Sequence, residues 1–438
     1  MKKYFPFFYA IALMIPLFTN AQSIELIWAH DHGYNANAKI NATVRGSDES
    51  IYSTGHYNGD VDFDPSDNTY ILDNSANIFI QKLDYLGELL WVKNLEITSP
   101  SANTGWYADE GTGIALDADD NIITTGNFDT ALDFDPGSDE FILTPSNNSS
   151  DFFVQKMDSD GEFLWAFGIH GTQIDLAAAI TTDLENNIYV TGTFNGEVDF
   201  DPDPDNEILL DASQLTGWGS AATFILKIDP TGNVIWAHDI PNDNKGGYPH
   251  DIITDTENNV YITGYFTGLT DFGNDGIEGL VTGSHDCYLL KLDTDANFQW
   301  IQVLSSTAFN VGNALAVDPE DHVYLTGRFG ASVDFDRGDD EYILSAIGYD
   351  DAFIQKLDAE GELVWVKHIG GTGSTYTHDI AIETHGKFEV YISGAFTETT
   401  DFDPNEGVEN MSVSSTGFWS QEMFVEKLDE NGVYEWAE

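Results

Sequence analysis

Apolar residues in this chain fall in short runs that Asp, Gly and Asn clusters separate, and the same order of runs recurs along most of the chain. In one stretch the runs are Gly113–Leu116, Asn121–Thr125, Phe152–Met157 and Glu162–Phe167. Short runs rich in Val, Ile, Thr, Tyr and Phe between turn residues are typical of β-strands. Past the extreme N-terminus no run has a helical apolar period, so the pattern predicts an all-β chain.

Two sequence markers show that these runs belong to repeats. A D-F-D or D-F-G marker begins at Asp62, Asp133, Asp199, Asp271, Asp334 and Asp401. A tryptophan recurs at Trp28, Trp91, Trp165, Trp236, Trp300, Trp365 and Trp436. Both markers give a period of roughly 65–70 residues, which is too long for a helical or leucine-rich repeat. The recurring tryptophan is interpreted as packing between repeats.

The connections between the runs indicate how each repeat folds. The first and second runs are joined by D-A-D-D-N at Asp117–Asn121, and the third and fourth by D-S-D-G-E at Asp158–Glu162. An Asp that opens a turn bonds local N–H groups, and a Gly or Asn near its end accepts positive φ. Four strands joined as a meander and repeated radially make a β-propeller. The prediction is a six-bladed β-propeller of four-stranded antiparallel blades.

The predicted propeller occupies residues 22–438. Its repeats span about 40–95, 110–168, 175–240, 247–302, 310–367 and 378–438. An additional strand is predicted at 23–29, because Trp28 follows the pattern of a fourth strand. Two interpretations of this additional strand stay open: it completes a blade, or the natural chain continues beyond Glu438.

The first 21 residues differ from the rest of the chain. Lys2 and Lys3 precede the apolar run Tyr4–Phe18, and Ala21 is a small residue at a suitable cleavage point. This is the pattern of a signal peptide, and the apolar run is short for a membrane span. The sequence therefore predicts export, with the protein secreted or at the cell surface, and no membrane insertion.

Charge and cysteine content limit the classes of partner. The formal net charge of −59 repels nucleic-acid phosphates and anionic lipid, so neither is an expected partner. Because 42% of the residues are hydrophobic, the composition is not that of a disordered chain. Cys287 has no second cysteine with which to form an intrachain disulfide, and its place in a third strand predicts a buried side chain.

Three linked motifs resemble a known repeat. K-L-D-x-x-G-x-x-x-W, Y-V-T-G-x-F and V-D-F-D-P-G together resemble the bacterial β-propeller repeat called the SBBP repeat. The resemblance covers nearly all of the chain after residue 22 and implies the propeller fold. It implies no activity, because the family is defined by architecture. The fourth repeat departs from the pattern, because Asp271-Phe272-Gly273 lacks the second Asp and the Pro.

A second resemblance supports an alternative function. K-L-D-x-x-G-x-x-x-W is also similar to the tryptophan-docking repeat of PQQ-dependent dehydrogenases. Members of that family usually have eight blades and many have an adjacent cysteine pair, whereas this chain has six repeats and one cysteine. An oxidoreductase of this type is therefore the alternative hypothesis, and a non-enzymatic binding module is favoured. A structural segment of a longer cell-surface protein is the third hypothesis.

A lysine recurs in every predicted third strand, where neighbouring blades would cover it. These lysines are Lys82, Lys156, Lys227, Lys291, Lys356 and Lys427. Because a buried ammonium needs a partner, they are predicted to form structural ion pairs. The first Asp of each marker is the predicted partner, which pairs Lys156 with Asp133, Lys291 with Asp271 and Lys356 with Asp334.

The paired acids of the marker are candidate metal ligands. Closely spaced carboxylates are hard oxygen ligands suited to Ca²⁺, although two of them do not complete its shell. The candidates are Asp62, Asp64, Asp133, Asp135, Asp199, Asp201, Asp334, Asp336, Asp401 and Asp403. Ca²⁺ is thus one interpretation of the marker, and no other cofactor is predicted.

Three tryptophans outside the repeat period, and the aromatic residues that accompany them in the variable connections, are the candidate ligand-binding residues. The connections between strands two and three and between successive blades vary in length, and meander topology places both on one face. The aromatic residues in these connections are Trp106, Tyr107, Trp218, Tyr248, Phe418 and Trp419. They would form platforms for a neutral glycan or a cationic peptide surface, or would instead cover loop backbone. No catalytic residue is predicted.

Overall fold

The structure is a computed structural model that describes most of the chain. The described residues are 37–64, 66, 68–72, 77–99, 109–146, 149–215, 221–240, 242–243, 246–272, 278–279, 285–338, 340–383, 388–405, 407–413 and 420–438. The predicted signal peptide at 1–21 and the predicted strand at 23–29 lie outside them. The chain divides into two compact units: Met1–Ile180 with Val198–Leu209 and Asp229–Val234, and Thr181–Glu197 with Leu210–Ile228 and Ile235–Glu438.

Each repeat forms a four-stranded antiparallel sheet in which the long strands pair in chain order. In the first two repeats the strands are Asn37–Arg45, Ile51–Asn58, Asn77–Leu83 and Leu89–Asn94, then Glu110–Leu116, Ile122–Phe128, Asp151–Met157 and Phe163–Ile169. Those of the third repeat are Leu176–Thr182, Ile188–Phe194, Ala222–Ile228 and Val234–Ile240.

The last three repeats have the same order of strands. Those of the fourth repeat are Gly247–Thr254, Val260–Phe266, Asp286–Leu292 and Phe298–Leu304. Those of the fifth are Asn310–Val317, Val323–Phe329, Asp351–Leu357 and Leu363–Gly371. Those of the sixth are Thr375–Glu383, Glu389–Phe396, Glu422–Asp429 and Tyr434–Ala437.

Short strands lie in the connection between the second and third long strands and beside the crossings from one repeat to the next. They are Val61–Asp62, Ile71–Leu72, Glu96–Ser99, Ala131–Asp133, Ile142–Leu143, Glu197–Asp199, Leu209–Asp211, Asn242–Asp243, Leu269–Asp271, Glu278–Gly279, Ser332–Asp334, Ile343–Ser345, Thr399–Asp401 and Asn410–Ser412. The all-β meander predicted from the sequence is therefore confirmed, and the order of strands is propeller-like. Across the described ranges, no helix has the length and apolar character that crossing a bilayer requires.

The hydrophobic cores lie between the sheets of neighbouring repeats. In the first unit, Tyr52 and Ile80 of repeat 1 pack in one cluster with Ile114, Phe128 and Phe153 of repeat 2. In the second unit, similar clusters join repeat 4 to repeat 5 and repeat 5 to repeat 6. Because the third strand is covered on both faces, every residue of Asp351–Leu357 is buried. Cys287 is also buried, as predicted.

The recurring tryptophan packs on the next repeat. Trp300 Nε1 donates to Ala359 O at 3.0 Å, and Trp365 Nε1 donates to Glu430 O at 3.2 Å. Both acceptors lie in the turn between the third and fourth strands of the following repeat. Gly361 in that turn has φ of +83°, and a Cβ atom there would lie 2.8 Å from the ring of Trp300. The predicted packing role of Trp300 is confirmed, and the glycine lets the turn lie flat on the indole.

We expect Gly361→Ala to lower the free energy of unfolding by about 1–2 kcal/mol, because a side chain in the left-handed region is strained. The added methyl also meets Trp300. Ala296 occupies the same turn position in repeat 4 with φ of +61°. Ala296→Gly should therefore shift stability in the opposite direction. Urea denaturation of both variants checks this, and a neutral Gly361→Ala would show that the turn conformation is not constrained.

Candidate functional site

Of the six aromatic residues predicted to bind a ligand, the structure describes Tyr248. Trp106, Tyr107, Trp218, Phe418 and Trp419 lie outside the described residues. Tyr248 is half-buried near the start of the first strand of repeat 4, where it is paired with Tyr265 near the end of the second strand. This end of the sheet carries the long connection to the third strand, so Tyr248 lies at the end from which the variable connections leave.

Tyr248 belongs to a continuous group of aromatic rings, which we call the four-ring cluster: Tyr248, Tyr265, His285 and Phe309. The rings of Tyr248 and Tyr265 are stacked with centroids 4.9 Å apart, and the ring of His285 lies 4.6 Å from that of Tyr265. Phe309 stacks on His285 at 4.4 Å and is 42% exposed. The cluster thus joins residues from two repeats of the second unit in one partly exposed aromatic surface.

Backbone contacts fix the positions of these rings. Gly264 lies beside Tyr265, and a Cβ atom there would come within 2.0 Å of Tyr248 O, so the two strands pair more closely than any side chain permits. Asn310 N donates to His285 O at 3.1 Å, which joins the segment before the third strand of repeat 4 to the start of repeat 5. The rings are therefore held before any ligand arrives, which lowers the ordering cost of binding.

The position of Tyr265 is variable within an otherwise repeated motif. In the second strand of every repeat, one residue separates a glycine from a buried aromatic residue. The intervening residues are His56, Asn127, Thr193, Tyr265, Arg328 and Ala395. The glycine and the aromatic residue serve strand pairing and the core, so they recur. The residue between them is partly exposed in repeats 1, 3, 4 and 5, as expected at a binding surface, and is buried as Asn127 and Ala395 in repeats 2 and 6.

A charged pair lies beside the four-ring cluster. Arg328 Nη1 donates to Asp350 Oδ2 at 3.1 Å, and the aspartate side chain is nearly buried while the arginine is partly exposed. Burial, and secondarily the Arg328 charge, lower the pKa of His285 below its usual value. Burial, with the neighbouring Tyr248, raises the pKa of Tyr265 to about 12. At neutral pH the His285 imidazole and the Tyr265 phenol are therefore uncharged, and the opposite charges of Arg328 and Asp350 cancel.

His250 connects the cluster to the first strand of repeat 5. It occupies a β-bulge, its ring lies 5.5 Å from that of Tyr265, and its Nδ1 donates to Gly312 O at 3.0 Å. Asn313 occupies the same bulge position in repeat 5 and donates to Thr377 O at 2.6 Å. Bulge residues thus hold successive first strands together.

The first unit has a polar arrangement at the corresponding positions. His56 Nδ1 lies 3.5 Å from Glu110 Oε2, and Asn41 donates to the same carboxylate oxygen at 3.3 Å. Burial acts to raise the pKa of Glu110, but the contacts with His56, Lys39 and Asn41 outweigh it and lower the pKa overall. The two units therefore present different chemistry on the same repeated strands.

Five of the six recurring lysines form ion pairs among the described residues, but the predicted partner is wrong. Lys156 Nζ lies 2.8 Å from Asp117 Oδ2, and Lys356 Nζ lies 3.1 Å from Asp318 Oδ2. These acids open the turn between the first and second strands. The marker acids Asp133 and Asp334 come after the other end of the second strand. Because that strand has seven residues, its two ends lie about 20 Å apart.

The other lysines have related contacts. Lys82 lies 3.4 Å from Asp48, Lys291 lies 3.2 Å from Asp255 and Lys427 lies 2.7 Å from Glu389. The side chain of Asp271, predicted to bind Lys291, lies outside the described residues. Lys227 donates to the hydroxyl and carbonyl oxygens of Thr294 at 2.6 and 3.0 Å. Most of these ammonium groups also lie over a second-strand tyrosine, as Lys291 does over Tyr261 at 4.8 Å.

The marker acids close their own loops. Asp133 Oδ1 accepts N–H bonds from Asp135 at 3.0 Å and Phe141 at 2.8 Å, and Asp135 Oδ1 accepts one from Gly137 at 2.8 Å. The same pattern recurs in repeats 1, 3, 5 and 6. This is a structural reason for the motif, and Ca²⁺ binding by these acids stays a prediction.

One group of potential metal ligands lies elsewhere. Within the described ranges, Asp318, Glu320 and His322 are the three side chains of this kind whose ligand atoms come within 4.8 Å of one another. Asp318 already binds Lys356 and accepts the Tyr324 hydroxyl at 3.2 Å. His322 takes the place of the asparagine that bonds this acid in other repeats, such as Asn121 with Asp117. The group therefore belongs to the turn.

Comparison with known proteins supports a repeat architecture. No family model matches the chain. The uncharacterized WD repeat-containing protein L264 of Acanthamoeba polyphaga mimivirus is 27% identical over 344 residues, which is 67% of this chain and 24% of that protein. The chain thus spans about a quarter of that relative. With the antiparallel four-stranded sheets, this similarity indicates a propeller-type repeat protein.

A solved structure is also similar. It is a protein of unknown function from Bacteroides caccae, with a TM-score of 0.36 and 11% identity over 78% of this chain and 86% of that one. At this level of similarity it carries no argument about site or function.

Proposed function

We propose that this chain is a non-enzymatic, propeller-type interaction module that binds a protein or glycan surface through the four-ring cluster. One observation carries the proposal: a partly exposed aromatic surface occupies positions that vary between repeats on an otherwise repeated scaffold. Rigid aromatic side chains supply contact area at low entropic cost, and concave or cleft surfaces lined by them are common binding sites. The similarity to a WD repeat-containing protein agrees with this function.

We further propose that the protein is exported and acts outside the cell or at its surface. The basic start, the apolar run and the small residue at Ala21 support this. A highly acidic exported module would stay soluble and would avoid nucleic acid and anionic lipid. Its partner would therefore be another macromolecule of the cell exterior.

We expect the double variant Tyr248→Ala/Tyr265→Ala to bind its ligand with a Kd at least about tenfold higher, because it lacks the stacked pair at the centre of the cluster. The probes are an array of neutral and charged glycans and a peptide display library. Tyr342→Ala is the control, because Tyr342 is a 46% exposed tyrosine beside the marker acid Asp334, which accepts its backbone N–H at 2.9 Å.

Thermal melting shows whether the double variant stays folded. If it does not, Phe309→Ala replaces it, since Phe309 is the most exposed ring of the cluster. If the folded cluster variants bind every ligand as tightly as the control variant does, the four-ring cluster is not the binding site.

A further inference from the structure

We infer that the ligand of the four-ring cluster is a neutral glycan, an inference that rests on the proposed function. The cluster itself contributes flat aromatic faces. Phe309 and His285 are nearly parallel, with 22° between their planes, as are Tyr248 and Tyr265. The weakly polar C–H faces of sugar rings stack on such surfaces, and no ligand charge is required for that contact.

The polar groups beside the rings suit hydroxyl groups. Arg328 donates through Nη1 to Asp350, which leaves the other N–H groups of its guanidinium fork on a partly exposed side chain. A sugar hydroxyl accepts as well as donates, so neighbouring hydroxyls can accept from these remaining N–H groups of Arg328.

The charge balance disfavours charged ligands. Arg328 and Asp350 form a 3.1 Å ion pair, so the group beside the rings has no net charge. A pair without net charge gives a cationic peptide no counter-ion at the cluster, and the Arg328 charge acts on both His285 and Tyr265. An anionic glycan would have to approach a chain whose formal net charge is −59. A neutral sugar avoids both costs and can still accept hydrogen bonds from Arg328.

The test measures binding of soluble probes by calorimetry to the whole protein. The probes are neutral hexasaccharides of glucose, mannose, xylose and N-acetylglucosamine, a hexauronate and a lysine-rich peptide. We expect at least one neutral hexasaccharide to bind with a Kd that changes less than about twofold between low salt and 0.5 M NaCl, because screening acts on charged ligands. Binding of the hexauronate and the peptide should be weaker.

Two variants locate the site, and each is checked by thermal melting. Arg328→Met should raise the Kd of the neutral ligand about tenfold through loss of the partly exposed guanidinium donors, and Phe309→Ala should do so through loss of a stacking face. Tyr342→Ala should bind normally. If only the lysine-rich peptide binds, and Tyr248→Ala/Tyr265→Ala abolishes it, the glycan inference is overturned while the proposed function stands. If a neutral glycan binds all variants equally, both fail.

Discussion

Replacing Lys156 by methionine is expected to lower the free energy of unfolding by about 3–5 kcal/mol. Lys156 and Asp117 form a 2.8 Å ion pair in which the side chains are 6% and 3% exposed. Lys156 also donates to Pro230 O at 3.2 Å. Methionine keeps most of the apolar stem but removes the charge, so it leaves the Asp117 carboxylate buried without its countercharge.

Urea unfolding at neutral pH measures this effect. Lys93→Met is the matched control, because Lys93 and Glu162 form a 3.7 Å pair with exposures of 23% and 66%, and such pairs contribute about 0–1 kcal/mol. Adding Asp117→Asn to Lys156→Met should recover part of the loss, because the amide carries no charge. A Lys156→Met loss no larger than that of Lys93→Met would show that the pair is solvated and contributes little.

The pair also makes stability depend on pH. Burial acts to raise the pKa of Asp117, but bonds from Lys156 and Asn121 outweigh it and hold the pKa below 3.8. For a carboxylate whose folded pKa is depressed, the stabilisation is present above the unfolded pKa and is lost as pH falls through the folded value. The loss on Lys156→Met should therefore shrink in strong acid, below the normal titration range of aspartate.

Replacing Glu426 by glutamine is expected to raise the free energy of unfolding by about 1–3 kcal/mol at pH 8. Glu426 is fully buried, and among the described residues neither carboxylate oxygen has a partner. In repeats 1, 2 and 5 this position holds a glutamine that donates to the marker phenylalanine carbonyl, as Gln155 does to Phe134 O at 2.6 Å and Gln355 to Phe335 O at 2.7 Å. An ionised carboxylate cannot donate that bond.

The gain on Glu426→Gln should depend on pH. Burial, with the Asp403 charge, raises the pKa of Glu426 well above 4.5. For a group whose folded pKa is raised, the stabilisation is fully present below the unfolded pKa and is lost as pH rises. The difference between the variant and the wild type should therefore be smallest near pH 4 and should grow above it.

Thermal and urea unfolding between pH 4 and pH 8 test this. Glu430→Gln is the control, because that side chain is exposed and its replacement should change stability by less than about 0.5 kcal/mol. A gain that is the same at every pH, or a loss, would show that Glu426 is not a buried carboxyl held in its protonated form.

The repeat architecture could be predicted because it depends on local chemistry. Each turn is encoded by its own residues, as in Asp158–Glu162, where Asp158 Oδ1 accepts two backbone N–H bonds and Gly161 has φ of +78°. Similar turn residues recur in every repeat, so a departure in one repeat, such as Asp271-Phe272-Gly273, does not change the predicted repeat architecture. Trp300 was recognised as a packing residue for the same reason.

The lysine partner was predicted wrongly because it depends on strand direction. Lys156 is paired with Ile123 near the beginning of the second strand, beside the turn that Asp117 opens. Asp133 comes after the other end of that strand. The antiparallel order, which the sequence already predicted, was enough to place Asp117 beside Lys156. The marker motif alone carries no information on strand direction, and strand direction determines the partner.

The candidate site could be predicted only in part. Tyr248 could be predicted from its place at a variable connection, but His285, Phe309 and Arg328 come from different segments that only the fold brings together. Two signals were available in the sequence. The residue between glycine and the buried aromatic varies in every second strand, and Y-x-H-D-I occurs at 248–252 and again at 376–380.

The claim that the four-ring cluster is the binding site can be tested directly by ¹⁹F NMR. The protein is labelled with fluorotyrosine, and the resonances of Tyr248, Tyr265 and Tyr342 are assigned with Tyr→Phe variants. Titration with the neutral hexasaccharide that calorimetry identifies should shift the Tyr248 and Tyr265 resonances in proportion to occupancy and leave that of Tyr342 unchanged. Saturating ligand that leaves both cluster resonances in place would contradict the account.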